Sequence, residues 1–229
     1  MNYKGEWSVA VDTTGKVPGL RNPPYPGEPY YAKKVLTDEQ CAETYYAVLN
    51  IYRKKLLSKV YTRTGEGNQL DLSARHTHYY NPDDVKGFSE IADSFNRSVG
   101  EAVNSLWPGL SASPASSYQV LGYEERCLFR SHCDNSLFVQ GSWVRNDKER
   151  DLTGILYLTD QADHAVEPLQ FSGGSLVLDN IKDSSDKPLE LRPQKGWVTV
   201  FPAHPVFRHQ VLPVTAGYRI AIVNWWKVR

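Results

Sequence analysis

The chain has 229 residues, 41% hydrophobic and 23% charged, which is ordinary globular usage and enough for one sizeable domain. Lys plus Arg and Asp plus Glu each number 26, so no global field favours nucleic acid or an anionic lipid surface, and a mean hydropathy of -0.49 argues against membrane insertion. Cys41, Cys127 and Cys133 include no CxxC pair and read as free thiols, and the N-terminus has no apolar run of signal-peptide length, which points to a cytoplasmic protein.

Residues 1–36 contain "KVPGLRNPPYPGEPYY", whose prolines fix φ and withhold backbone donors, so this stretch reads as an extended arm, either a lid or a tail. "LTDEQCAETYYAVLNIYRKKLLSKV" then opens a helix: Thr37 and Gln40 fit a capping box, and Ala42, Tyr45, Tyr46, Leu49 and Tyr52 recur at helical spacing. A second helix runs through "PDDVKGFSEIADSFNRSVGEAVNSLW". Asp83 and Asp84 suit its N-terminus, and Phe88, Ile91, Phe95, Val99 and Val103 form the stripe to be buried. Residues 37–110 are therefore helical support. From about residue 117 the period shortens to alternation and brief apolar runs: "SYQVLGY", "CLFRSH", "LTGILYLTD", "GSLVLD", "LELRP", "GWVTVFP", "VFRHQVL" and "RIAIVNWW". Eight short strands punctuated by Gly, Pro, Asn and Asp predict a β-sandwich, jelly roll or barrel over 117–229. Helices followed by this core give one α+β, mainly β, domain across residues 1–229.

If "CLFRSHCDNS" is a strand entering a turn, His132 and Asp134 share one face and Cys133 points to the other. Imidazole with carboxylate, joined by a second His, is the 2-His-1-carboxylate set that leaves positions open on Fe(II). His209 and Arg219 lie in "FPAHPVFRHQVLPVTAGYRIAIVNWW", where a turn at "VTAG" would bring both into one interior. A buried Arg219 needs an anion. A dicarboxylate chelating the metal with its other end would supply it, and a structural ion pair with a core acid is the alternative. The remaining histidines carry less. His204 reads as loop after "FP", His164 as loop, and His76 with His78 as a substrate contact or a solvated strand ahead of the β core.

In "YQVLGYEERCLFRSHCDNS", "RDLTGILYLTD", "GGSLVLD", "GWVTVFP" and "HQVLPVTAGYRIAIVNWW", taken in order, the chain resembles the 2-oxoglutarate and Fe(II)-dependent dioxygenases, specifically the prolyl 4-hydroxylase-like group. The likeness covers roughly residues 117 to 229, and "HCDNS" with "RDLTGILYLTD" is most similar to the group's bacterial proline/lysine-hydroxylase type. It implies a double-stranded β-helix (jelly roll, cupin-like) core buttressed by the N-terminal helices. It places the iron ligands on His132, Asp134 and His209, and the residue for the distal 2-oxoglutarate carboxylate on Arg219. Tyr157, then Thr153, are implied as a hydroxyl helping to hold the cosubstrate. Tyr123 is implied as another, with a core aromatic as its alternative. Trp225 shares a strand face with Arg219, and with Asn135 and Gln119 it is a substrate-pocket candidate. Phe129 stands where many relatives have a Tyr, which removes one family hydroxyl. The implied cofactors are Fe(II), 2-oxoglutarate and O2, with ascorbate as an optional addition. An Asp rather than a small residue at 134 implies hydroxylation rather than halogenation. The substrate expectation is a prolyl or other amino-acid side chain in a peptide or protein, then a free amino acid or small natural product; a non-catalytic cupin-like sensor is the alternative of another class. No nucleic acid or membrane partner is expected, and the oligomeric state stays open.

Overall fold

The computed structural model describes residues 8–9, 30–61, 68–69, 71–106, 109–165 and 167–229; most of the proline-rich arm lies outside the described residues. Strand β1 (Tyr31–Lys34) leads into α1 (Asp38–Asn50), whose start is the capping box the sequence predicts. Thr37 Oγ1 accepts the Gln40 N–H at 3.2 Å, and Gln40 Oε1 accepts the Thr37 N–H at 2.9 Å. The buried face of α1 is Cys41, Thr44, Tyr45 and Val48, while Tyr46 and Tyr52 are 49% and 37% exposed. The predicted stripe is thus one residue out of phase. Adjacent tyrosines offer two helical phases, and the one that also buries Cys41 and Val48 is adopted. The helix stops at Asn50, short of its predicted extent, and a 3-10 turn at Tyr52–Lys54 follows.

After β2 (Arg75–His76) and β3 (His78–Tyr80), Asp83 and Asp84 occupy a separate 3-10 turn capped by Asn81 rather than the start of the second helix. Gly87, at φ +77°, reverses the chain, and α2 (Phe88–Leu106) begins there. Ile91, Phe95, Val99 and Val103 are buried along it as expected.

All eight predicted strands form. In chain order the β core is β4 (Gln119–Tyr123), β5 (Leu128–His132), β6 (Ser136–Val139), β7 (Ser142–Arg145), β8 (Leu152–Tyr157) and β9 (Gln170–Gly173). It continues through β10 (Leu176–Lys182), β11 (Pro188–Leu191), β12 (Trp197–Pro202), β13 (His209–Val211), β14 (Val214–Gly217) and β15 (Arg219–Val228). "VTAG" is therefore a strand, not a turn. β14 pairs with β9, so β13 and β15 end in different sheets instead of forming a hairpin.

The larger sheet runs β1-β12-β8-β15-β4-β3, and the smaller contains β10-β13-β5-β2 with β11 on β10. Alternation along each strand splits the apolar residues between two layers. Val120, Leu152, Leu156, Val198, Ile220, Ile222 and Trp226 face outward and pack with α1 and α2. Leu121, Tyr123, Ile155, Tyr157 and Ala221 face inward, against Phe171, Leu176, Leu178 and Val211. This is the double-stranded β-helix with helices buttressing one sheet. Gly154 marks where helix and sheet meet most closely: a Cβ there would lie 2.5 Å from Trp226 Cζ3 and 2.9 Å from Phe95 Cε2. Among the described residues no helix is long and apolar enough to cross a membrane.

Candidate metal and cosubstrate site

His132 ends β5 and His209 begins β13, and the two are cross-strand partners in the smaller sheet. Pairing sets their rings 4.4 Å apart between centroids. Asp134 sits two residues past the end of β5, in a bend rather than on the strand, yet its carboxylate turns back between them. Its Oδ1 is 3.5 Å from His132 Nε2 and its Oδ2 3.6 Å from His209 Nε2. The three donors lie within 4.8 Å of one another, the one such cluster found among the described residues. Cys133 turns away and donates its S–H to the Ala203 carbonyl at 3.1 Å, and burial pushes its thiol up to about 12.

Backbone contacts fix both imidazole tautomers. His132 Nδ1–H donates to the Arg130 carbonyl at 2.8 Å and His209 Nδ1–H to the Phe207 carbonyl at 3.0 Å, which turns each Nε2 toward Asp134. Burial, reinforced by neighbouring His132, pushes His209 down to about 4, so it is a neutral donor at physiological pH. Burial alone would raise the pKa of Asp134. The two imidazoles and a Thr153 Oγ1–H hydrogen bond to Oδ2, at 2.5 Å, outweigh it and hold the carboxyl well below the usual carboxylate range. Phe129 stacks on the His132 ring at 3.6 Å.

Across the cavity, β15 lies between β8 and β4, and Arg219 is the register partner of Tyr123. Its side chain is 1% exposed, and its guanidinium lies 4.6 Å over the Tyr123 ring and 5.5 Å from the Tyr157 ring centre. No carboxylate among the described residues pairs with it, and its Nε has no hydrogen-bond partner. The structural ion pair considered from sequence is not formed with any described residue. The Tyr157 hydroxyl is likewise buried, near Thr199 but without a well-formed hydrogen bond among the described residues, and burial pushes its pKa up to about 12, so it remains an O–H donor. A buried cation beside a buried phenol has the chemistry to receive an anion, although only Arg219 of the two is among the cavity's lining residues.

Both walls open on a cavity of about 1030 Å³, lined by His132, Asp134, His209, Arg219, Tyr123, Thr153, Gln119 and Trp225 among others. Thr153, expected beside the cosubstrate, spends its hydroxyl on Asp134. Trp225 walls the cavity with the Arg150 guanidinium 3.8 Å over its ring. Asn135 is not among the lining residues. It is 4% exposed, donates to the Arg150 carbonyl at 2.9 Å, and anchors the loop through Ser136. His204 caps the turn Pro205–Phe207, and His76 pairs with Leu128 across β2 and β5. Arg75 also lines the cavity and was not foreseen, because no spacing links it to the β core before β2 pairs with β5.

Two imidazoles and one carboxylate, preset by their outer hydrogen bonds, suit a divalent iron that keeps open positions. The unpaired Arg219 and Tyr157 suit the far carboxylate of 2-oxoglutarate. The residues present fit both groups.

Residues 118–227 match the model of the 2OG-Fe(II) oxygenase superfamily. A PKHD-type hydroxylase of Maricaulis maris (strain MCS10) is 29% identical over 106 residues, 46% of this chain; the match spans 39% of that relative's length. Among solved structures, a prolyl hydroxylase from Trichoplax adhaerens, in complex with a hypoxia inducible factor oxygen degradation domain peptide fragment, superposes with a TM-score of 0.65. It is 16% identical, over 87% of this chain and 83% of that one. A Pseudomonas putida prolyl-4-hydroxylase gives a TM-score of 0.59 at 16% identity, over 87% of this chain and 92% of that one. The family implies Fe(II), 2-oxoglutarate and O2 as its cofactors and cosubstrates. Residues 118–227 are thus similar to the 2OG-Fe(II) oxygenase superfamily, and the chain shares its double-stranded β-helix fold with the solved prolyl hydroxylases.

Proposed function

We propose that this protein hydroxylates an unactivated C–H bond in a prolyl or other amino-acid side chain of a peptide or protein, using Fe(II), 2-oxoglutarate and O2. The observation that carries this is the uncompensated guanidinium of Arg219 across one cavity from a complete His132, Asp134, His209 donor set. A non-catalytic cupin-like module has no physical need for both.

When bound, Fe(II) and 2-oxoglutarate supply the oxidising power: O2 is consumed, the cosubstrate leaves as succinate and CO2, and R–H becomes R–OH. His132, Asp134 and His209 hold the metal through two Nε2 lone pairs and one carboxylate. Thr153 keeps Asp134 turned toward both imidazoles. Arg219, with the Tyr157 O–H, orients the cosubstrate by its distal carboxylate, and the Tyr123 ring supports the guanidinium. Ile155, Leu176, Val211 and Val223 line the cavity and exclude water from the reacting end. The cavity is larger than 2-oxoglutarate needs and continues past exposed Arg130 and Phe138, which supports a peptide-sized substrate. The Trichoplax adhaerens relative, in complex with a peptide fragment, supports the same substrate class.

The test is O2-dependent release of succinate from 2-oxoglutarate by protein reconstituted with Fe(II) under anaerobic conditions, with acetylated prolyl peptides as substrates. Stimulated release that His132→Ala abolishes is the expected result. Absence of both Fe(II) binding and succinate release sinks the proposal.

A further inference from the structure

Several cations line the cavity, and most are accounted for. Arg150 pairs with Asp147 at 3.0 Å and Arg208 with Asp179 at 3.2 Å, while Lys59 and Arg130 are exposed to solvent. Arg219 faces the cosubstrate. Arg75 remains, half-buried, with no carboxylate paired to it among the described residues.

Its position is built, not incidental. Nε donates to Thr77 Oγ1 at 3.2 Å, Nη1 to the Lys59 carbonyl at 3.3 Å and Nη2 to Gln119 Oε1 at 3.1 Å. The guanidinium lies 4.6 Å over the ring of Phe129, its cross-strand partner, and Phe129 stacks on His132. Arg75 therefore stands one ring away from a metal ligand. All three acceptors are neutral oxygens, so they fix its orientation without answering its charge. A guanidinium carries five N–H donors. The three contacts leave one N–H on each terminal nitrogen, the number a carboxylate takes when it binds bidentately. Burial lowers the pKa of this guanidinium, a cost that Tyr123 and Asp134 offset only in part and that an anion bound beside it would relieve.

The cosubstrate does not meet this need. With one 2-oxoglutarate carboxylate on Arg219 in the larger sheet, the other belongs at the metal, and Arg75 approaches from the smaller sheet. We infer that Arg75, steadied by Gln119, receives a carboxylate of the molecule to be hydroxylated, so that the substrate is an acid whose target carbon lies close to its anionic group. This rests on the oxygenase reading and narrows it. The carboxylate has two sources, the α-carboxylate of a free amino acid or an acidic residue beside the target in a peptide.

Matched acid and amide probes decide the matter. With Fe(II) and saturating 2-oxoglutarate under anaerobic conditions, calorimetric titration compares L-proline with L-prolinamide, and an acetylated tripeptide with Asp beside proline with its Asn counterpart. In the parent protein at least one acid binds about tenfold more tightly than its amide, as expected for a charge-assisted bidentate contact. The preference falls below about twofold in Arg75→Gln and is partly kept in Arg75→Lys. Gln119→Glu retains the arginine but supplies an internal carboxylate, and it removes the preference as well. A preference confined to proline assigns the free amino acid; one confined to the tripeptide assigns the acidic residue. No acid preference in the parent, or one that survives both Arg75→Gln and Gln119→Glu, overturns the inference. Titration of the parent with Fe(II) and 2-oxoglutarate separates the two failures. If neither binds, the oxygenase reading falls and this inference with it; if both bind without acid preference, Arg75 alone has been misassigned.

Discussion

Arg219→Met should make the protein more stable while depriving it of its cosubstrate. The native guanidinium is 1% exposed, has no carboxylate partner among the described residues and leaves its Nε without an acceptor there. A buried unpaired charge costs several kcal/mol, of which the contact over Tyr123 at 4.6 Å returns about 1 kcal/mol and cavity solvent a further part. Methionine keeps most of the stem volume beside Gly174, so little cavity strain is added. The net expectation without cosubstrate is about 2 kcal/mol of added stability, a rise in Tm of roughly 5 °C for a chain of this length. Added 2-oxoglutarate reverses the order. At a hundred times its Kd it stabilises the parent by about 2.7 kcal/mol and leaves the variant unmoved. Calorimetric melting of both proteins with Fe(II), with and without 2-oxoglutarate, reads these shifts. A variant that melts below the parent without cosubstrate refutes the uncompensated charge, and one still stabilised by 2-oxoglutarate refutes its role as the carboxylate receptor.

Thr153→Val removes the hydrogen bond to Asp134 Oδ2, worth about 1.5–3 kcal/mol to a charged acceptor, and should weaken Fe(II) binding tenfold or more in anaerobic titration. Unchanged affinity would mean Asp134 is oriented by its backbone alone. Gly154→Ala drives a methyl into Trp226 and Phe95, so urea unfolding should show a loss of about 1–3 kcal/mol; an unshifted midpoint contradicts the tight approach of helix and sheet. His204 supplies a pH dependence. Burial, with Arg145 adding to it, pushes the folded imidazole down to about 4 against an unfolded value near 6.5. Between these values the unfolded chain holds the extra proton, so stability is complete above about pH 6.5 and declines as pH falls, by about 2 kcal/mol at pH 5. Replacing it by Gln should flatten that slope in urea titrations at pH 7 and pH 5, and an equal slope in both proteins rejects a neutral buried His204.

The strands were legible because two-residue alternation survives burial: Ile220 and Ile222 face the helices while Arg219 and Ala221 face the interior, as their spacing requires. The capping box was legible because it is local. Features decided by partners were not. Tyr45 and Tyr46 left two helical phases open, and packing of Cys41 and Val48 chose between them. "VTAG" carries turn residues but completes a ladder with β9, so His209 and Arg219 meet from opposite sheets. Thr153 has the right parity for the cavity, yet the sequence does not say that Asp134, nineteen positions earlier, claims its hydroxyl. Asn135 follows Asp134, a proposed metal ligand, and still turns inward, because its side chain satisfies the Arg150 carbonyl.

The division of the site between two sheets explains why the helical half matters to chemistry it does not touch. His132 and His209 belong to the smaller sheet, Arg219 and Tyr157 to the larger, and sheets packed face to face stand about 10 Å apart. That separation sets the span a dicarboxylate must bridge, and Phe171, Leu176, Leu178 and Ala221 maintain it from between the sheets. The Thr153 to Asp134 hydrogen bond ties β8 of the larger sheet to the loop after β5 of the smaller. Thr153 is also the residue before Gly154, whose Cα abuts Trp226 and Phe95 on the helix side. The contact of α2 with β8 at Gly154 therefore lies next to a side chain that ties the larger sheet to Asp134. A substitution in that layer that displaces β8 should lower Fe(II) affinity together with stability, whereas an equally destabilising change against α1 should lower stability alone.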